Sequence, residues 1–480
     1  MEHYDVLIVG AGLSGIGAAY HVQTMCPNKR YAILEGRPRL GGTWDLFRYP
    51  GIRSDSDMHT LGYSFRPWTA AKAIADGPAI LEYIRDTAEE NGIDRHIQFN
   101  SKVVAARWSS AGRRWTVTVS REDTESQEEV SCNFLFVCSG YYDYDEGYTP
   151  EFEGRKDFDG EIVHPQKWTE DIEYAGKNVI VIGSGATAVT LVPSMAETAN
   201  HVTMLQRTPT YVVTRPAEDK IANALRKRLP SGLAYGLTRW KNVAMGQAFF
   251  KLCQGVPGAM KKVIMHGVKK ELGDAYDVET HFNPPYGPWD QRLCLVPDSD
   301  LFNVLRDGKA SVVTGHIDRF VPEGIRLRDG QVLPADLIVT ATGLRVKTLG
   351  GMDVTIDDEP LELSNRMSYK AMMFSDVPNM AMCFGYTNAS WTLKADLTSL
   401  YVCRLINHMD EHGYSSCTPK KGADVEEEPF IPLQAGYIDR AASLLPKAGS
   451  KVPWKLKQNY FFDLLMLKAG KVDDGVMQFQ

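Results

Sequence analysis

No stretch of this sequence is long and apolar enough to read as a membrane span. The best candidate runs from Val179 to Met195, but Gly183-Ser184-Gly185 interrupts it, and it reads as strand, turn and helix. The eight cysteines are scattered at positions 26, 132, 138, 253, 294, 383, 403 and 417, with no Cys-x-x-Cys pair. A disulfide mini-scaffold is excluded, and free thiols in a reducing cytoplasm are expected. No cysteine lies between Cys26 and Cys132, where a two-dinucleotide disulfide reductase needs its redox pair. No metal-ligand cluster and no low-complexity tract is found. The opening Met1-Glu2-His3-Tyr4-Asp5 lacks a basic run, so no signal peptide is expected. A net charge of −7 gives no nucleic-acid signal. With 480 residues, 44% of them hydrophobic and 24% charged, the composition is ordinary for a globular chain of about two to four domains.

What the chain does have is glycine in two places, each between a strand pattern and a helix pattern. Tyr4-Asp5-Val6-Leu7-Ile8-Val9 is a buried parallel-strand run, followed at once by Gly10-Ala11-Gly12-Leu13-Ser14-Gly15. Gly10 permits a tight turn, Gly12 lets the backbone approach a pyrophosphate, and Gly15 lets helix and strand pack closely. The helix N-terminus offers free N–H groups to phosphates. A second strand, Tyr31-Ala32-Ile33-Leu34, ends in Glu35, twenty residues beyond Gly15 and placed to accept ribose hydroxyls. Gly41-Gly42-Thr43-Trp44 then suggests close backbone approach to the same nucleotide.

The second signature follows Lys177-Asn178-Val179-Ile180-Val181-Ile182 and consists of Gly183, Gly185 and Ala188. Its next strand, His201 to Gln206, ends in Arg207-Thr208, with no acid where Glu35 stood. An acid there repels a 2′-phosphate, whereas arginine binds it bidentately, so this site is expected to prefer NADPH. Two nucleotide sites in one chain imply electron transfer between two redox nucleotides. Phe134 to Gly140 and Ala335 to Gly343 read as the places where the chain crosses between the nucleotide folds.

Together these motifs and the string Phe158-x-Gly160-x-x-x-His164-x-x-x-Trp168 resemble the class B flavoprotein monooxygenases, with Trp168 pointing to the type I Baeyer–Villiger branch. Thr169 stands where the family string continues with Pro or Asp. Pro284 to Leu293 and Gly385 to Leu393 are similar to the ethionamide-activating monooxygenase subgroup. The resemblance implies FAD at the first site, NADPH at the second, and O2 as oxidant. It implies conversion of ketones to esters or lactones through a C4a-peroxyflavin, with sulfide oxidation alongside. An S- or N-oxygenase with little ketone activity remains the alternative. Arg292 takes the position of the active-site arginine, and Asp55 that of the acid orienting it. Arg207 and Thr208 match the 2′-phosphate binders, with Gln291 where many relatives have lysine. Phe158, Gly160, His164 and Trp168 match the linker coupling cofactor binding to domain movement.

The expected architecture is α/β, with two Rossmann-like dinucleotide-binding domains and a helical insert. The FAD domain spans 1–144 and 346–480, the NADP domain 145–214 and 290–345, and the insert 215–289. From Lys220 to Lys270 there are eleven Lys/Arg and no Asp or Glu. This segment reads first as solvated helical faces, and second as a surface touching anionic lipid or steering NADPH. The expected partners are a small ketone or thioether and O2, in the cytoplasm or at a membrane surface. The oligomeric state stays open.

Overall fold

The computed structural model describes residues 1–121, 124–291, 293–431 and 436–480, without the side chains of 437 and 439. Its two largest sheets hold the two glycine motifs. Among the described residues the first sheet has nine strands, drawn from both ends of the chain. Its centre is Glu2–Val9, flanked by parallel Tyr31–Leu34 on one side and the long strand Ser126–Val137 on the other. Val6, Leu7 and Ile8 are fully buried, as a strand covered on both faces requires. Ser126–Val137 changes partners along its length. Its first half pairs antiparallel with Arg114–Arg121, and its end pairs parallel with Met380–Met382. The C-terminal helix Trp391–His412 packs against Leu13–Met25.

The second sheet is wholly parallel, in the order Ala310–Thr314, His201–Gln206, Asn178–Ile182, Leu337–Thr340, Glu161–Val163. Strand, turn and helix from 178 to 195 form as the sequence pattern dictates. The chain crosses between the sheets on a short antiparallel ribbon, Tyr142–Gly147 against Leu344–Val346. Lys347 braces it by pairing with Asp143 at 2.7 Å and Asp145 at 3.1 Å.

One loop joins the two halves more intimately than the ribbon does. Phe47 and Tyr49, reached from the first glycine site, belong to the hydrophobic core of the second sheet. Gly51 lies so near the helix Ala186–Met195 that a Cβ there would meet Ser194 at 2.8 Å. Arg53 reaches across to Asp300 and forms an ion pair with it.

The insert is helical: Lys220–Arg228, Ser231–Gly255, Pro257–Leu272 and Val278–Phe282. Its basic residues do not all form solvated faces. Arg239 is buried, and its Nη1 donates to the backbone carbonyls of His59 at 2.9 Å and Gly62 at 2.8 Å. It neutralises the C-terminal end of the short helix Met58–Leu61, where carbonyls lack intrahelical partners. No helix of the described residues is long and apolar enough to cross a membrane.

Candidate functional site

At the first glycine turn, Gly10 has φ +101°, and a Cβ at Gly15 would lie 1.8 Å from the Gly10 carbonyl oxygen. Only glycine closes this turn. The helix Leu13–Met25 begins at Gly12 with no side-chain cap and no acid in its first turn. Its leading N–H groups remain available to an anion. Glu35 is buried, and its carboxylate accepts from the N–H of Ala11 at 2.7 Å and of Arg37 at 3.0 Å. Burial pushes this carboxyl up, and those two N–H groups partly pull it back.

Gly41 and Gly42 fold back over this turn. Gly41 N–H donates to the Ala11 carbonyl at 3.0 Å, and a Cβ at Gly42 would meet Gly12 Cα at 3.0 Å. Thr43 and Trp44 open the one-turn helix Thr43–Leu46. The Thr43 hydroxyl lies 3.4 Å from that of Tyr144. Buried Asp45 gathers Arg37, Arg39 and Arg48 around the same loop. These residues fit a dinucleotide: uncapped N–H groups for the pyrophosphate, a fixed carboxylate for a ribose, and backbone stripped of Cβ atoms between them.

The second turn repeats this geometry with an open floor. Gly183 has φ +134°, and a Cβ there would sit 2.4 Å from the Ala341 carbonyl. At Gly185 a Cβ would meet nothing within 4 Å, and the helix Ala186–Met195 starts there uncapped. Ala188 is fully buried beneath it. The Ser184 hydroxyl donates to the Thr208 carbonyl at 3.2 Å, tying the strand end to the turn. Arg207 is exposed beside it and has no ion pair among the described residues. A cation left in solvent at the rim of a phosphate-binding turn fits a 2′-phosphate.

The linker string divides its tasks. His164 follows the strand Glu161–Val163 of the second sheet and packs against the crossing ribbon at Gly147. Its Nδ1 accepts from Gln166 N–H at 3.1 Å, so its Nε2 carries the proton and donates to the Gly343 carbonyl at 3.1 Å. A Cβ at Gly147 would overlap its ring, so glycine there is what admits it. Burial holds the imidazole pKa below its usual value. Gln166 donates to the Asp143 carbonyl at 2.8 Å, and the segment thereby grips both crossing strands. Trp168 is buried in the core of the second sheet, edge-on to Tyr174. Phe158 is buried above Gly160, where a Cβ would strike the Asp336 carbonyl at 2.5 Å.

Asp55 sits half-buried on the loop that docks onto the second sheet. Near it, burial pushes the Tyr49 hydroxyl up to about 12, with a further push from the Asp55 charge and a counter-pull from Thr187. Arg292 lies outside the described residues.

Two groups escaped the sequence reading. Trp391 Nε1 donates to the Ser14 hydroxyl at 2.8 Å and so joins the C-terminal helix to the first glycine motif. Beneath the Gly385–Leu393 segment, Lys394 and Asp463 form a buried ion pair at 2.9 Å, and the Tyr386 hydroxyl donates to Asp463 at 2.7 Å. Nothing in local sequence spacing brings residues 386, 394 and 463 together. The one available signal was a lysine inside an otherwise apolar helical face.

Residues 74–229 match the flavin-binding monooxygenase-like family, and residues 8–76 match an NAD(P)-binding Rossmann-like domain. The chain is 55% identical over 480 residues to the FAD-containing monooxygenase EthA of Mycobacterium tuberculosis, covering 100% of this chain and 98% of that protein. Among solved structures, an oxidised steroid monooxygenase bound to NADP superposes with a TM-score of 0.78 at 21% identity, covering 99% of both chains. An open form of cyclohexanone monooxygenase superposes with a TM-score of 0.76 at 20% identity, covering 100% of both. The fold is theirs, and the chain belongs to the family of FAD-containing monooxygenases that includes EthA.

Proposed function

We propose that this flavin monooxygenase oxidises ketones to esters or lactones, and thioethers to sulfoxides, at the expense of NADPH and O2. FAD occupies the Gly10–Glu35 site and NADP the Gly183–Arg207 site. The observation that carries the reading is the contrast between the two strand ends. One presents a buried carboxylate held by Ala11 N–H, and the other an exposed arginine next to Thr208, whose carbonyl is tied to the glycine turn. The first suits a dinucleotide with free ribose hydroxyls, and the second one with a 2′-phosphate.

FAD bound at the first site would supply acceptance of hydride from NADPH and activation of O2, one oxygen going to the product and the other to water. The chain's own residues do the rest. Arg292 supplies a fixed cation where negative charge develops on oxygen, and Asp55 orients that guanidinium. Preorganised charge in a dry site is worth far more than in water. His164, gripping both crossing strands, registers nucleotide binding as a change in the relation of the two sheets.

The second reading, S- or N-oxygenation with little ketone activity, draws on Thr169, which departs from the Baeyer–Villiger string. Aerobic NADPH oxidation with paired ketone and thioether substrates, with products identified by mass, separates the two. Ester or lactone from the ketone establishes the first reading. Sulfoxide alone establishes the second.

A further inference from the structure

The helix Ser231–Gly255 is apolar on the side that should be polar. Its inward face buries Ala234, Tyr235, Thr238, Arg239, Asn242 and Val243. The opposite ridge carries Leu233, Leu237, Trp240, Ala244, Ala248 and Leu252 at steps of three and four residues, all exposed. Leu233, Leu237, Trp240 and Leu252 are 53%, 47%, 46% and 52% exposed. An exposed apolar ridge on a helix whose other face is already buried ordinarily has a partner. The short helix Tyr460–Leu464 extends the patch. Phe461 stacks on Trp240 with ring centroids 5.8 Å apart, and Leu465 beside it is 68% exposed.

The exposed charges on this helix and at the end of the helix before it are positive. Lys227, Arg228 and Lys251 are exposed, and Lys251 lies on the ridge itself. None of the three has an ion-pair partner among the described residues. From 220 to 270 there is no acid to neutralise them.

We propose that this ridge docks on the surface of an anionic phospholipid bilayer, with Leu237, Trp240, Phe461 and Leu465 entering the headgroup–acyl boundary. Apolar side chains with tryptophan at their centre and unpaired cations beside them are the composition an anionic lipid surface recognises. A second copy of the chain is the competing occupant. A two-fold contact through this ridge brings the cations of both copies into one interface with no acid from the same segment, which disfavours it.

The test uses the full-length, FAD-loaded protein. Sedimentation with vesicles of phosphatidylcholine alone or mixed with phosphatidylglycerol measures partitioning, and the difference in tryptophan emission between the unmodified protein and Trp240→Phe reports burial of Trp240. Binding should require phosphatidylglycerol, weaken with added salt, and shift the emission to the blue. Each cation near such a surface contributes roughly fivefold, so replacing Lys227, Arg228 and Lys251 with glutamine should cut partitioning about a hundredfold. Leu237→Ser with Trp240→Ser should lower it further while FAD content and NADPH oxidation in solution stay unchanged. Equal binding to both vesicle types, or none, overturns the proposal. So does lipid-free self-association, measured by sedimentation velocity, that the double serine variant abolishes. Oxygenation activity is read separately, so failure of one reading leaves the other standing.

Discussion

The Glu35 carboxylate accepts the N–H of Ala11 at 2.7 Å, so the acid ending one strand holds the glycine turn that begins after another. One carboxylate oxygen fixes the turn, and the other accepts from the Arg37 N–H at 3.0 Å.

Glu35→Ala should weaken FAD binding by roughly 1.5–3 kcal/mol, the usual cost of losing a hydrogen bond to a charged group. Titrating apo-protein with FAD measures it. Because burial raises this carboxyl, the folded chain favours the protonated form more than the unfolded chain does. Stability from this group is therefore present at low pH and lost as pH rises through the folded value. FAD binding runs the other way, since ribose hydroxyls donate to the ionised form. FAD should begin to dissociate at a higher pH than an ordinary carboxylate would allow, and Glu35→Gln should remove that dependence.

Arg207→Ala should raise the KM for NADPH and barely change that for NADH. Gln291, in place of a second phosphate-binding cation, makes the wild-type preference modest. Steady-state kinetics with both cofactors decide it. Equal use of the two by the unmutated enzyme refutes the 2′-phosphate role.

His164→Ala should slow turnover without removing FAD. Two hydrogen bonds fix the ring as the neutral Nε2–H form, and burial lowers its pKa. Protonation sets an Nδ1–H against the Gln166 N–H. The unfolded chain binds this proton more readily, so stability and turnover should both fall as pH drops below the ordinary histidine value. His164→Gln, which keeps a donor for Gly343, should recover part of the rate. Trp168→Ala should also slow turnover with FAD retained. Unchanged kcat and KM for NADPH in either alanine variant would discard the linker role.

Arg292→Ala should lower ketone oxygenation by roughly 10²–10³-fold, the usual effect of losing one donor to a developing oxyanion. FAD should remain bound, because its phosphates sit at the Gly10–Gly15 turn. Asp55→Ala should act in the same direction but more mildly, since the charge stays and only its orientation is lost. Product yield and stopped-flow flavin spectra measure both. Normal ester formation by Arg292→Ala would eliminate the proposed active site.

Both glycine turns, Glu35, and the strand ends at Gln206 and Thr340 were legible in the sequence because each is a local structure. A buried strand followed by glycine and an apolar helix has few other ways to fold. The composition of the 220–270 segment was equally plain, but its disposition was not. Which face of Ser231–Gly255 turns inward depends on the carbonyls of His59 and Gly62, and these come from a distant part of the chain.

The sequence alone determined the residue types at each nucleotide turn, since backbone sterics and charge sign act over a few residues. Only the tertiary structure decided the rest. It carried Phe47 and Tyr49 into the core of the other sheet, seated His164 between two crossing strands, and buried Lys394 against Asp463. Those contacts join residues tens to hundreds of positions apart. Their partners are selected by how two sheets and an insert pack against one another, and no short-range pattern records that.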